Sequence, residues 1–370
     1  MLFHNSINMK GHQGLSLVEL LIALTISSIL MLGVSTIYLN SGKTDKLGAE
    51  LSRAQETGRF SIDFMAKDLR MAGYQGCMNP TSLKINIIAN NPPTTDLFAT
   101  AIRGFEVTNT SWANSPPLPA PQVEFDNTSI ETRALVGSDV VALQRASTAD
   151  IQLTGNMAAS NANIQITGNP LGFQQNGLVV IASCETADMF RITNNPGTGT
   201  GIITLDHSNS SNSDNRLSVP YNTSAKIMTF ESIVYFVAST GRVNEQGNPI
   251  NALFRQTDQF DTTLPNNGFL IEELVEGVDN MQVTYGERLA SGNIRYVDAA
   301  NVTDFQQVTS IHLGLLVSST SDVLDIDDSQ TYSLPGENIA PAGTAGAAVT
   351  HAADKRLRRA FTATIDIRNH

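Results

Sequence analysis

The chain has 370 residues, of which 41 % are apolar and 6 % aromatic, enough to bury one large or two smaller hydrophobic cores. Its 35 acidic residues outnumber 23 basic ones, so the formal net charge is −12. A surface this acidic argues against nucleic acid as a main partner.

The first predicted element is a membrane-spanning helix. A short polar leader, residues 1–14, ends at Gly14, and an apolar run follows over residues 15–39 with Glu19 as its only charged residue. A run of about 25 residues is too long for the core of a secretory signal peptide and matches a spanning helix. We therefore expect this segment to stay with the protein as an anchor.

The position of Glu19 calls for a counter-charge, because a carboxylate inside a spanning helix costs several kcal/mol unless it finds a partner. Cleavage after Gly14 would create a free α-amino group at Leu15, on the first turn of the same helix or of a neighbouring one. The plainer alternative is an uncleaved anchor in which the glutamate is accidental.

The pattern Gly14-Leu15-x-x-x-Glu19 resembles the type IV prepilin cleavage motif, also called the type III signal. The resemblance implies that a prepilin peptidase cuts between Gly14 and Leu15 and then methylates the new amine of Leu15. Leucine departs from the phenylalanine or methionine that is commoner there. Glu19 would pair with the N-terminal amine of an adjacent subunit during assembly.

Residues 40–76 are predicted to continue the helix as an amphipathic second half that ends near Ala72, before the stop glycines Gly73 and Gly76. One stripe recurs every three or four residues: Leu47, Leu51, Ala54, Gly58, Ile62, Met65, Leu69 and Ala72. Four glycines, each about 1 kcal/mol less favourable than alanine, mark points where the helix could bend: Gly33, Gly42, Gly48 and Gly58.

Beyond residue 76, helix-period patterns give way to short strand-like runs between turns rich in glycine, proline and asparagine. The predicted strands are 140–143, 178–182, 232–238, 250–255, 270–274, 280–285, 307–317 and 361–367. Hairpin turns are expected at 239–242, or in the wider loop to residue 249, and at 291–293. Stretches 79–122, 194–222 and 333–353 lack periodicity and are expected to be long loops.

Four segments strengthen the resemblance: DLRMAGYQGC at 68–77, GLVVIASC at 177–184, ELVEGVDNMQV at 273–283 and FTATIDIRN at 361–369. They are similar to PilW-type minor pilins of type IV pili, and the last is also related to J-type pseudopilins of type II secretion. The fold implied is α+β and pilin-like, with a long N-terminal helix, membrane-embedded in its first half, and a large antiparallel β-rich head over residues 77–370.

The function implied is that of a structural minor pilin. It would join other minor pilins and the major pilin in the inner membrane, its head in the periplasm, prime pilus assembly, and sit at the tip beside an adhesin-like protein on the cell surface. Twitching motility, adhesion and DNA uptake would depend on it. The alternatives are a J-type pseudopilin and a pilin-anchored adhesin or ligand-binding head; a head near 300 residues favours the pilus over the pseudopilus.

Two cysteines, Cys77 and Cys184, both follow the anchor. In the cytosol they would be two buried thiols, whereas an oxidising periplasm would favour one disulfide that closes a loop of about a hundred residues and stabilises by roughly 4 to 5 kcal/mol. The anchor favours the periplasm, and the family resemblance implies the same pair.

Catalysis, cofactors and metals are not expected, because the histidines show no H-E-x-x-H spacing and neither a P-loop nor a G-x-S-x-G turn is present. Two charged clusters each allow two interpretations. The acidic run Asp322, Asp325, Asp327 and Asp328 suggests a solvated turn, with Ca²⁺ binding as the alternative. The basic run Lys355, Arg356, Arg358 and Arg359 suggests strand-edge charges, with DNA or lipid headgroups as the alternative.

Overall fold

A computed structural model describes residues 16–77, 85–90, 92, 101–108, 133–155, 157, 160, 163–258 and 269–368. Gly14 and Leu15 lie outside the described residues, as does most of the expected loop 79–122. The chain divides into two compact units, one up to Ala49 and one from Glu50 to His370.

The first unit consists, in its described part, of the N-terminal portion of helix α1 (Leu17–Leu69). The large apolar side chains between Leu17 and Leu39 are 51–78 % exposed. The most apolar window of α1 has a mean hydropathy of 2.3, and the helix is long and apolar enough to cross a membrane. Neither Gly33 nor Gly42 interrupts it.

In the second unit, the remainder of α1 buries a stripe formed by Ala54, Gly58, Ser61, Met65, Ala66, Asp68 and Leu69. The predicted apolar stripe is therefore correct in its later turns, and Leu51 and Ile62 are half-buried. The helix ends at Leu69, slightly before the predicted residue. Gly73 and Gly76 follow with φ values of 74° and 84°, a left-handed conformation that glycine adopts without strain.

The described residues of the second unit contain eighteen strands, which in chain order are: β1 (Asn86–Ile87), β2 (Ile102–Glu106), β3 (Asp139–Ala146), β4 (Ile151–Gln152), β5 (Asn163–Thr167), β6 (Leu178–Ala182), β7 (Ala187–Arg191), β8 (Ile202–Asp206), β9 (Lys226–Val243), β10 (Pro249–Asp258), β11 (Phe269–Glu276), β12 (Val278–Arg288), β13 (Ile294–Val297), β14 (Val308–Asp322), β15 (Tyr332–Leu334), β16 (Glu337–Pro341), β17 (Val349–His351) and β18 (Arg356–Asp366). Two short 3₁₀ turns, Ala299–Asn301 and Phe305–Gln307, precede β14.

The strands form two main sheets and two small ones. In the nine-stranded sheet the order is β1-β7-β6-β9-β10-β11, and β2, β3 and β4 join through β9. The second main sheet has the order β13-β12-β14-β18, while β15-β16-β17 and β5-β8 are the small sheets. Most pairings are antiparallel; β1 with β7 and β16 with β17 are parallel. The α+β fold predicted from the sequence is confirmed.

The main core lies between α1 and the inner faces of the two main sheets. Met65 and Leu69 of the helix share one buried cluster with Tyr235 of β9, Met281 of β12 and Leu313 of β14. The alternating pattern of a half-buried strand explains why each sheet contributes every second residue. This arrangement gives the end of α1 a contact with both sheets.

All eight predicted strands coincide with observed ones. The β9–β10 hairpin uses the wider predicted loop, where Asn244 N donates to Asn248 O. All three expected loops were wrong in part. Stretch 79–122 contains β1 and β2. Stretch 194–222 contains β8, whose Ile203 and Leu205 are buried against β5, and stretch 333–353 contains β16 and β17. These strands are short and flanked by turn residues, so their periodicity is weak in the sequence.

Candidate functional site

The described chain begins with a capping box at the start of α1. Ser16 N donates to Glu19 Oε2 at 2.9 Å, and Glu19 N donates to Ser16 Oγ at 3.2 Å. This reciprocal pair satisfies backbone donors that the first helical turn otherwise leaves free. The box holds the Glu19 carboxylate on the first turn, beside the point where the chain enters the helix.

The sequence contained this signal, because Ser-x-x-Glu before an apolar run is the signature of a capping box. Interpreting Glu19 through its charge alone overlooked Ser16. A carboxylate has a second oxygen and several lone pairs. The capping bond therefore leaves Glu19 able to accept a further donor.

At the other end of α1, the predicted disulfide is present between Cys77 and Cys184, with their Cα atoms 4.8 Å apart. Cys184 lies in the turn between β6 and β7, and Cys77 follows the turn that ends the helix. The bond thus attaches the end of the helical segment to the nine-stranded sheet. Gly76 fits this approach closely, since an added Cβ would lie 3.2 Å from the Ala182 side chain.

Two known families match this chain, one near each end. The family of type IV pilus-assembly protein W (PilW) matches residues 234–369. The prokaryotic N-terminal methylation motif matches residues 9–35, which include Gly14, Leu15 and the first turns of α1. The two matches identify a PilW-type minor pilin. No curated protein matches the chain.

The prepilin motif and the apolar helix together make this minor pilin a membrane-anchored, pilus-associated protein. Glu19 is the only charge in the apolar part of α1, so any ionic contact made there must involve it. The capping box already fixes its position without a partner subunit.

A second polar cluster of the pilin joins α1 to the nine-stranded sheet. Asp68, 6 % exposed, accepts a hydrogen bond from Arg145 Nη2 at 2.9 Å and another from the Tyr235 hydroxyl at 2.5 Å. Arg145 also donates through Nε to Glu231 at 2.8 Å. Burial and the neighbouring Asp68 charge raise the pKa of Tyr235, so its hydroxyl remains a donor. The predicted stripe on the helix included Leu69 but not Asp68, and helical periodicity did not reveal these partners.

A third cluster corrects the interpretation of the basic run. Arg356 and Arg358 are 2 % exposed, and Lys355 and Arg359 are exposed. Alternation along β18 therefore divides the run between two faces. The run does lie on an edge strand, since β18 ends the order β13-β12-β14-β18. Arg356 and Arg358 are buried, however, and cannot form a surface for DNA or lipid; only Lys355 and Arg359 retain the predicted exposed character.

Aspartates neutralise these buried arginines. Arg358 donates to Asp279 at 3.0 Å, to Asp354 at 2.8 Å and to Asp328 at 3.3 Å. Burial alone would raise the pKa of Asp354, but the hydrogen bond from Arg356 and the charges of both arginines hold it below its usual value. The network joins β18 to the start of β12 and to the segment before β15.

The interpretation of the acidic run as a solvated turn is wrong for Asp322 and Asp328, whereas Asp325 and Asp327 are exposed. Asp328 is 5 % exposed and accepts from the Tyr332 hydroxyl at 3.0 Å as well as from Arg358. Asp322 accepts from Asn244 Nδ2 at 3.0 Å. Both carboxylates are engaged by the protein itself, and within the described residues no group of three or more His, Cys, Asp or Glu side chains has the arrangement of a metal site.

Proposed function

We propose that this minor pilin primes type IV pilus assembly in the inner membrane, with its head in the periplasm, and then remains at the pilus tip. In this role it acts as a structural subunit and not as an enzyme. It assembles with other minor pilins, the major pilin and an adhesin-like tip protein, and it supports twitching motility, adhesion and DNA uptake.

The observation that carries the proposal is the combination at the start of α1. An apolar helix with exposed side chains all around presents a single carboxylate, Glu19, already positioned by Ser16 on the first turn. Such a surface favours lipid or the apolar helices of other subunits. The head of the second unit has its own core and does not need that surface for folding.

In the proposed mechanism, prepilin peptidase cuts between Gly14 and Leu15, and the amine of Leu15 is methylated. The Glu19 carboxylate of an incoming pilin then accepts a hydrogen bond from the N-terminal amine of a docked subunit. An unpaired charge in the membrane is costly, so this pairing stabilises the docked state. The capping bond to Ser16 reduces the entropy lost when Glu19 meets the amine.

Two variants separate charge from helix capping. Glu19→Gln keeps a side chain suited to the capping box but removes the charge. Ser16→Ala removes the capping hydroxyl and keeps the charge. We expect Glu19→Gln to be cleaved normally but to lower surface pili at least about tenfold, the equivalent of 1.4 kcal/mol in docking. Ser16→Ala should retain most of the pili.

The experiment uses a strain that lacks the native copy and is complemented with each variant. Sheared pili, twitching zones and the processed form on immunoblots are measured together with secretion of a type II substrate. Normal piliation by Glu19→Gln would refute the charge mechanism. Loss of secretion with intact pili would assign the protein to the type II pseudopilus instead.

A further inference from the structure

The junction between the two main sheets contains two acidic side chains placed directly opposite each other. Glu106 on β2 and Asp139 on β3 are register partners in the antiparallel pair. Asp139 is 5 % exposed, and Glu106 is half-buried. Like charges directly opposite on paired strands repel, and burial removes the water that would screen them. The pair is therefore compatible with a closed junction only if its charge is reduced.

Each carboxyl also accepts a hydrogen bond from a backbone amide outside the nine-stranded sheet. Val283 N on β12 donates to Asp139 Oδ2 at 2.7 Å, and Ala299 N, in the turn after β13, donates to Glu106 at 3.0 Å. Because Glu106 and Asp139 are direct register partners, their side chains lie within reach of each other. A hydrogen bond between two carboxyls requires a proton on one of them. One proton therefore completes a chain of contacts from β12 to the turn after β13.

Within the part of the chain that the structure describes, no cation is among the groups that act on the pair. The charged groups that act on the pair are Asp298 beside the 3₁₀ turn and Glu337 on β16, both acidic. From β12 the pair is faced by Tyr285, which is 1 % exposed and whose hydroxyl finds no hydrogen-bond partner among the described residues.

We propose that Glu106 and Asp139 form a proton-dependent latch between the two main sheets. With one shared proton the latch closes the junction, and loss of that proton opens it. Opening releases the amides of Val283 and Ala299 from their carboxyl acceptors and separates β2 and β3 from β12. The latch would make the cohesion of the head depend on the pH of its surroundings.

The direction of the pH effect follows from linkage. Burial first, and then the mutual charge, raise the pKa of Asp139 well above its usual value; burial also raises that of Glu106. The closed state thus keeps a proton that the open state would release. The stabilisation that this proton provides is complete below the ordinary pKa of a carboxyl, near pH 4, and is lost as the pH rises toward the raised pKa.

The test uses hydrogen exchange of the full-length protein in detergent, between about pH 5 and 9. Protection factors of the Val283 and Ala299 amides should fall by about tenfold per pH unit over part of this range, after correction for intrinsic exchange. In Glu106→Gln the amide can donate to the Asp139 carboxylate and accept from Ala299, and the repulsion between two carboxylates is removed. Burial still acts on Asp139, so the fall should become smaller than in the wild type. Glu185→Gln, in the exposed turn between β6 and β7, is the matched control and should behave as wild type.

Asp139→Asn provides an independent variant if Glu106→Gln does not fold, because its side chain can accept from Val283 and donate to Glu106. A smaller fall in either variant than in the wild type supports the latch. Constant protection of both amides in the wild type, or a fall of the same size in the variants, would overturn it.

Discussion

Substitution of Asp68 should weaken the attachment of α1 to the nine-stranded sheet. In Asp68→Ala the guanidinium of Arg145 keeps only Glu231 as its ionic partner, and the Tyr235 hydroxyl loses its acceptor in a buried site. Removing one partner of a buried ion pair costs about 3–5 kcal/mol. Because Glu231 remains bonded to Arg145, we expect a total of about 3–5 kcal/mol, including the unpaired hydroxyl.

Asp68→Asn keeps the shape and one acceptor oxygen but removes the charge, so it should cost less, about 1–3 kcal/mol. In a Tyr235→Phe background no hydroxyl is left unpaired, and Asp68→Ala should then cost about 1 kcal/mol less than in wild type. That difference isolates the hydroxyl from the ion pair.

The assay is urea unfolding of the mature protein in detergent, followed by the β-sheet signal in circular dichroism. Asp63→Ala is the matched control, since Asp63 lies on the same helix in an exposed pair with Arg59 at 3.8 Å. It should change stability by less than about 1 kcal/mol. If Asp68→Ala and Asp63→Ala unfold at the same urea concentration, the buried network does not hold α1 to the sheet.

Two further predictions concern packing and protonation. At Gly58 an added Cβ would overlap the Phe361 ring, so Gly58→Ala should lower stability by about 1–3 kcal/mol; at Gly48 nothing lies within 4 Å, and alanine there should raise stability by up to about 1 kcal/mol. Equal thermal melts of the two variants would contradict this reasoning. Burial lowers the pKa of His207 from 6.5 to about 4, so below pH 6.5 the unfolded chain binds a proton that the folded chain does not. Stability should therefore fall by up to about 3 kcal/mol as the pH is lowered from 6.5 to about 4. His207→Phe should remove that part of the pH dependence in urea titrations, and an unchanged slope would show that His207 is not its source.

Much of the fold was predictable because its signals are periodic. The stripe on α1 and the longer strands each repeat over enough residues to define a buried face. The shorter strands β8, β16 and β17 are too short to show such a repeat, since two or three apolar residues between turn residues resemble a loop. Gly58 shows a further limit: the sequence suggests a possible bend, whereas the structure uses the missing side chain for close contact with β18.

For the charged residues too, signals within one segment could be predicted and contacts between distant segments could not. Glu19 could be singled out because it is alone in an apolar run, and the Ser16 cap was available from spacing. The alternation of β18 could have separated Arg356 and Arg358 from their exposed neighbours. Their acceptors could not be found in this way, because Asp279, Asp328 and Asp354 come from different segments and meet only in the folded head.

The structure attaches the last turns of α1 to the head by three independent kinds of contact. The Asp68 network reaches β3 and β9, the Phe361 ring of β18 packs against Gly58, and the disulfide reaches the β6–β7 turn through Cys77. These contacts differ in their sensitivity to charge, side-chain volume and redox conditions, so no single change in conditions weakens all of them. All three lie at or beyond Gly58. Among the described residues, no side chain before Leu39 belongs to the core of the head, so these apolar turns are available for membrane residence and for contacts with other subunits.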